Sequence, residues 1–387
     1  MGSILPRMPY RRGVDLPLTG LREVTVALGD GPPVLRDVTL LAGPGEVLAV
    51  LGPSGSGKTT VLRAVAGLER VRRGRVLVAG RDVTAVPTAQ RRIAMVFQET
   101  ALLPVLDVAA HLGRSAPGGE RHEQVGRLGL RGLLPRMART LSPGEGGRVG
   151  VGRALVRDPD AFLFDEPLAH LDPVERTRIR RVIAAAVARA GVAALYVTHD
   201  RTEAMAVADR LAVLRDGEVV QTDTPTRVYD RPVDVFVADV VAESGIGLLP
   251  ARVVVADERA GFAVGARTLP LWAPPSAGLV PGRRVVLGLR AEVVGVAGPG
   301  ADPGSVRLPV TVGRVEHTGH RATVVGEVAV PGDADGARLV ARTAEPPRTG
   351  ERVEFVVDAR RAHVFDAVTG RALLHPGVTR GTGPHQK

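Results

Sequence analysis

Gly52-Pro53-Ser54-Gly55-Ser56-Gly57-Lys58-Thr59-Thr60 follows directly on the apolar run Val47-Leu48-Ala49-Val50-Leu51. Together they predict a strand, a glycine-rich turn and a helix start, with the G-x-x-x-x-G-K-T spacing of a phosphate-binding loop. Glycines let the backbone curl until successive N–H groups face an anion, and the helix N-terminus adds the positive end of its dipole. The Lys58 ammonium can reach β- and γ-phosphates as a point charge, and the Thr59 hydroxyl is placed to ligate Mg²⁺. Composition sets this lysine apart too: of 51 basic residues only Lys58 and the terminal Lys387 are lysines, the rest being arginines. With all three parts in place, the pattern implies a nucleoside triphosphate site rather than a turn before an ordinary helix.

The 387 residues suffice for two domains or three, each with its own core. Hydrophobic residues at 44% and charged residues at 24% are ordinary for globular chains. The absence of cysteine excludes disulfides and thiolate metal sites, and is compatible with a reducing cytoplasm. No apolar run approaches the roughly 18 residues of a membrane-spanning helix. Arg7, Arg11 and Arg12 give the N-terminus positive charge, but Pro6, Pro9 and Asp15 interrupt any apolar core of a signal peptide. The chain is expected to be soluble by itself. A net charge of +10 raises the question of nucleic acid or an anionic membrane surface. Because the arginines are dispersed and aromatic residues make up only 3%, no nucleic acid partner is expected.

Up to about residue 235, short apolar runs alternate with helical stretches, as in a mixed α/β sheet. The expected strands are Val47–Leu51, Arg75–Val78, Ile93–Phe97, Ala161–Phe164, Ala193–Val197 and Leu211–Leu214. The expected helices are Thr59–Leu68, Pro173–Ala190, with Asp172 as its cap, and Arg201–Ala208. Beyond about residue 245 the texture becomes β-rich. Val253–Ala256, Arg284–Leu289, Leu308–Val315, Ala322–Val330, Arg338–Arg342 and Arg352–Val357 are separated by Gly, Pro and Asp clusters, which predicts a small all-β barrel or sandwich. Asp366–Gly370 reads as a turn, Gly298–Ser305 as a loop and Gly377–Lys387 as a disordered tail.

Further motifs narrow the chemistry. Ala161-Phe162-Leu163-Phe164-Asp165-Glu166 is an apolar strand ending in two acids. Asp165 can hold the Mg²⁺ that also touches Thr59, and Glu166 can polarise the attacking water as general base. Gln98, after the strand Ile93–Phe97, can contact Mg²⁺ or that water, and His199, just past Ala193–Val197, can hold the water with Glu166. Leu141-Ser142-Pro143-Gly144-Glu145 precedes a helix candidate ending in Arg153-Ala154-Leu155. Each of the last three is weak alone; order and spacing make them strong.

Together these segments resemble the ATP-binding subunits of ABC transporters: phosphate loop, glutamine loop, signature, paired acids, Asp172 loop and histidine switch. The resemblance runs from about Leu21 to about Leu374. Tyr196–Asp200 with Glu203-Ala204-Met205, Ala208-Asp209-Arg210, Thr224-Pro225 and Tyr229-Asp230-Arg231-Pro232 is similar to the sugar-importer branch. So are Leu287–Glu292 and His363–Asp366, in that branch's C-terminal domain, although Ala291 stands where proline is usual.

The resemblance implies an α/β P-loop nucleotide-binding domain over residues 19–245, with an inserted helical subdomain at about 101–155. A small all-β, OB-like domain for regulation or dimerisation would follow over 246–376, between an extension at 1–18 and a tail at 377–387. It further implies ATP and Mg²⁺ as cofactors, held by Gly52–Thr60 and by Thr59, Gln98 and Asp165. Ser142, Gly144 and Glu145 would contact ATP across a homodimer or ATPase heterodimer, with Asp172 at the dimer contact. The expected partners are two ABC permease membrane subunits, docked by about 101–139, and an extracytoplasmic substrate-binding protein. The expected location is the cytoplasmic face of the membrane, as a peripheral protein.

The chain also departs from the family pattern. Pro143 removes an N–H donor, Glu145 puts a negative charge where glutamine is usual, and Gly146-Gly147 is expected to weaken the helix start. Leu28 occupies the place of an aromatic ring that stacks on adenine.

Overall fold

The computed structural model describes residues 17–98, 102–113, 118–256, 259–265, 267–270, 279–297, 306–319, 321–329 and 337–376. Most of the expected N-terminal extension, the 298–305 loop and the 377–387 tail lie outside the described residues. The chain divides into two compact units, Met1–Thr226 and Arg227–Lys387.

In the first unit the chain runs β1 (Thr19–Ala27), β2 (Pro33–Ala42), β3 (Val47–Leu51), α1 (Lys58–Ala66), β4 (Val71–Val78), β5 (Arg81–Asp82) and β6 (Ile93–Val96). It continues through α2 (Val108–His111), α3 (Gly118–Arg127), α4 (Pro143–Leu155), β7 (Ala161–Asp165), α5 (Pro173–Ala190), β8 (Ala193–Val197), α6 (Arg201–Val207), β9 (Arg210–Arg215) and β10 (Glu218–Asp223). Predominantly apolar runs need cover on both faces, and β3, β7 and β8 are buried at every position. They lie in a six-stranded sheet of order β10-β9-β3-β8-β7-β6, in which only the β9–β10 pair is antiparallel. A second, antiparallel sheet has the order β2-β1-β4-β5. Leu21, Leu40, Leu48, Val61, Leu62 and Leu163 belong to one core that includes residues of both sheets and α1. Because β3, β6, β7 and β8 run parallel, the residues just past their carboxyl ends emerge along one edge, where α/β sheets place their sites.

One polar pair is sealed inside this unit. The Tyr196 hydroxyl donates to the Glu203 carboxylate, and Tyr196 and Glu203 are 0% and 5% exposed. Burial pushes Glu203 up to about 7, the Tyr196 hydrogen bond opposing it. The folded protein therefore holds this proton at pH values where the unfolded chain has released it, so stability falls as pH climbs from about 4.5 through about 7. Glu203→Gln is expected to remove that fall. Denaturant midpoints at pH 5 and pH 8 should show the variant gaining on the wild type by on the order of 3 kcal/mol.

The second unit begins within α7 (Pro225–Asp230), continues through α8 (Val235–Val240) and, among the described residues, is otherwise β apart from 3-10 turns at Ala291–Val293 and Ala359–Arg361. Its strands are β11 (Ile246–Ala256), β12 (Arg259–Val264), β13 (Arg267–Pro270), β14 (Arg284–Arg290), β15 (Val294–Val296), β16 (Val306–Thr318), β17 (Arg321–Val328), β18 (Ala337–Thr343), β19 (Arg352–Val357), β20 (His363–Asp366) and β21 (Ala372–Leu374). All pair antiparallel in one system of order β15-β19-β16-β17-β18-β11-β14-β20-β21, with β12 and β13 branching from β11. Leu249, Phe262, Leu287, Phe355 and Val364 are fully buried between its strands. The all-β expectation holds, and residues 366–370 form the expected turn, with the Asp366 carboxylate accepting from the backbone of Val368 and Thr369.

Candidate functional site

The loop between β3 and α1 carries two glycines at positive φ, Gly55 and Gly57. At Gly57, φ is 101°, a backbone conformation that favours glycine, and a Cβ would also crowd Leu35 Cδ2 at 2.8 Å. Lys58 is 8% exposed. Its Nζ turns back along the loop and donates to Gly52 O at 2.9 Å and Pro53 O at 2.8 Å. Burial lowers its pKa, while the charges of Glu166 and Asp165 pull the other way. The Ser56 hydroxyl oxygen is buried without a hydrogen-bond partner. A loop with a neutral orphan hydroxyl and a lysine held only by main-chain oxygens fits an incoming triphosphate.

Opposite the loop, Asp165 ends β7 and Glu166 follows it in the left-handed region at φ 47°. Such a conformation costs a non-glycine residue about 1–3 kcal/mol and is found where a side chain must be aimed. Glu166 N donates to Val197 O at 2.9 Å, which fixes the turn against the end of β8. The Glu166 carboxylate then meets His199 Nδ1 at 2.9 Å and accepts from Gln98 Nε2 at 3.4 Å. Thr59 Oγ1 donates to Asp165 Oδ1 at 3.3 Å. Burial raises Asp165 to about 6, against the opposing Thr59 hydrogen bond. Thr59, Lys58, Asp165, Glu166, Gln98 and His199 thus come together at one edge of the parallel sheet.

Ser142, Gly144, Glu145, Asp172 and Leu28 form no described hydrogen bond to that cluster. Ser142 caps α4 in a capping box: its hydroxyl accepts from Glu145 N, and the Glu145 carboxylate accepts from Ser142 N at 2.8 Å. Pro143 occupies the first turn, where an N–H has no helical partner in any case. These devices offset the glycines that follow, and α4 forms over its full length. Arg136, which sequence reasoning missed, bonds the other Glu145 oxygen at 2.8 Å. The backbone hydrogen bond from Ser142 and the Arg136 charge lower the Glu145 pKa. Asp172 caps α5 as expected, accepting from Val174 N and Glu175 N. Leu28 sits 51% exposed in the β1–β2 turn.

A strand–loop–helix cradle with a buried lysine, facing paired acids at the end of a parallel strand, defines a P-loop nucleotide hydrolase. The ABC transporter family model matches residues 35–169. The sn-glycerol-3-phosphate import ATP-binding protein UgpC of Cereibacter sphaeroides is 39% identical over 362 residues, 91% of this chain and 99% of that protein. The sulfoquinovosyl glycerol transport ATP-binding protein SmoE of Agrobacterium fabrum is 37% identical, over 88% of this chain and 95% of that protein. The Fe(3+) ions import ATP-binding protein FbpC of Rhizobium etli is 42% identical, over 57% of this chain and 64% of that protein. The chain belongs to the ABC transporter family, as one of its ATP-binding subunits.

Proposed function

We propose that this protein is the ATP-hydrolysing subunit of an importer for a carbohydrate. The observation that carries the reading is similarity over 91% of the chain, both units included, to a glycerol-phosphate import subunit. The iron-import relative is matched over only 57% of this chain, so ferric iron is the weaker cargo.

Gly52–Thr60 would hold the triphosphate, with Lys58 leaving its loop carbonyls for the β- and γ-phosphates. Thr59, Asp165 and Gln98 supply oxygen ligands of the kind Mg²⁺ takes, and the ion would neutralise phosphate charge. Glu166 is the base for the attacking water, and His199, in contact with its carboxylate, aligns it. Ser142, Gly144 and Glu145 would meet the ATP bound by a second subunit, identical or different, with Asp172 near that contact. Closure on ATP and reopening after hydrolysis would drive two permease subunits fed by an extracytoplasmic binding protein, the chain sitting peripherally on the cytoplasmic face. No helix among the described residues is long and apolar enough to cross a membrane.

Glu145 near a triphosphate needs a counter-charge, and Arg136 provides it. Arg136→Ala is expected to raise the KM for ATP about threefold to tenfold, and added Glu145→Gln to restore it. Unchanged turnover kinetics in Arg136→Ala would count against the pairing. Leu28→Tyr is expected to tighten ATP binding about threefold or more by adding a ring to stack on the base, read by titration calorimetry. The function itself is tested by tagging the chain, solubilising membranes gently and identifying what copurifies. Two polytopic proteins with a binding protein support the reading; recovery of soluble partners alone would overturn it.

A further inference from the structure

We infer that Arg176 is a positioning residue that ties the loop preceding α5 to the histidine beside the catalytic carboxylate. Its guanidinium makes three contacts on two separate segments. Nε donates to Leu171 O at 2.8 Å and Nη2 to Ala169 O at 3.2 Å, so two carbonyls of the 166–172 loop are held by one planar fork. Nη1 reaches across to Asp200 Oδ2 at 3.3 Å.

Asp200 is fixed in turn. Its other carboxylate oxygen caps α6 by accepting from Glu203 N at 3.0 Å, and its own N–H donates to Thr198 Oγ1 at 3.0 Å. Thr198 is 2% exposed. His199, whose side chain is 63% exposed, is therefore aimed by its two neighbours rather than by packing of its own ring. The aim delivers Nδ1 to Glu166 at 2.9 Å.

The loop on the other side of Arg176 is in contact with the start of α4. A Cβ at Gly144 would lie 3.0 Å from His170 O, tighter than an ordinary contact, so the two backbones approach closely there and a side chain at 144 would press on the loop. Arg148 of α4 pairs with Glu175 of α5. A displacement of the α4 start, the segment proposed to meet ATP on the second subunit, has a continuous route to His199: His170 backbone, Arg176, Asp200. Main-chain acceptors and a carboxylate at fixed spacing suit a guanidinium and cannot all be served by a lysine.

This inference rests on the roles given above to Glu166 and His199. The test uses the full-length protein in its membrane complex and compares Arg176→Ala, Arg176→Lys, Asp200→Asn and the double variant. Asparagine still caps α6, so Asp200→Asn removes the ion pair without removing the cap. Arg176→Ala and Asp200→Asn are each expected to lower kcat for ATP by about tenfold with KM changed less than twofold, and the double variant to be no worse than the poorer single. Arg176→Lys should recover only part of the loss, and guanidinium added to Arg176→Ala should recover some of it. Full additivity, or a lowered Tm with kcat of the folded protein unchanged, would mean a structural brace alone and overturn the inference. Glu166→Gln is the separate control: if it leaves turnover intact, the reading of the site fails, whatever Arg176 does.

Discussion

Replacing Glu166 by glutamine is expected to lower ATP turnover by about 100-fold or more while changing ATP affinity less than about threefold. Glutamine keeps the shape and one acceptor oxygen, so the contact from His199 Nδ1, now at 2.9 Å, can persist. What it loses is the ability to take a proton from water at the end of β7. The backbone around the substitution should hold, because the Glu166 N to Val197 O hydrogen bond that ties this turn, at φ 47°, does not use the carboxylate. Phosphate release and equilibrium nucleotide binding, measured on one preparation, separate the two effects. Turnover within fivefold of wild type would remove Glu166 from the role of base.

Lys58→Ala should act on binding instead. At an ATP concentration of about 100 times its Kd, the wild type gains about 2.7 kcal/mol of stability from the ligand. A variant whose Kd is raised about 100-fold gains about 0.4 kcal/mol at the same concentration, and most of the ATP-induced rise in Tm disappears. The ligand-free Tm serves as the internal reference, since the lysine also serves Gly52 O and Pro53 O within the loop. A full ATP-induced rise in the variant would show that the triphosphate sits elsewhere.

The parallel strands were legible because burial on both faces leaves uninterrupted apolar runs. Val47–Leu51 and Ala193–Val197 have the bounds expected of them. β1 and β2 were missed for a physical reason: Arg22-Glu23 and Arg36-Asp37 break the alternation, and Glu23 and Asp37 turn to φ 53° and 49° where the register shifts. The three-residue strands β15 and β21 carry too few residues to show a period. Within the site, the residues following parallel strands could be read because topology carries them to one edge. Arg136 and Arg176 could not, since among 49 arginines nothing local marks the two that hold Glu145 and Asp200.

The near-exclusive use of arginine has a practical consequence for chemical probing. A reagent that acylates side-chain amines finds two targets in the chain, Lys58 and Lys387. Burial lowers the pKa of Lys58 and so enlarges its uncharged, nucleophilic fraction at neutral pH. Bound phosphates would engage and shield that amine, while Lys387 supplies a second label on the same molecule as a reference. The ratio of the two labels, read by mass spectrometry, would make the protein a reporter of its own nucleotide occupancy, without any engineered probe.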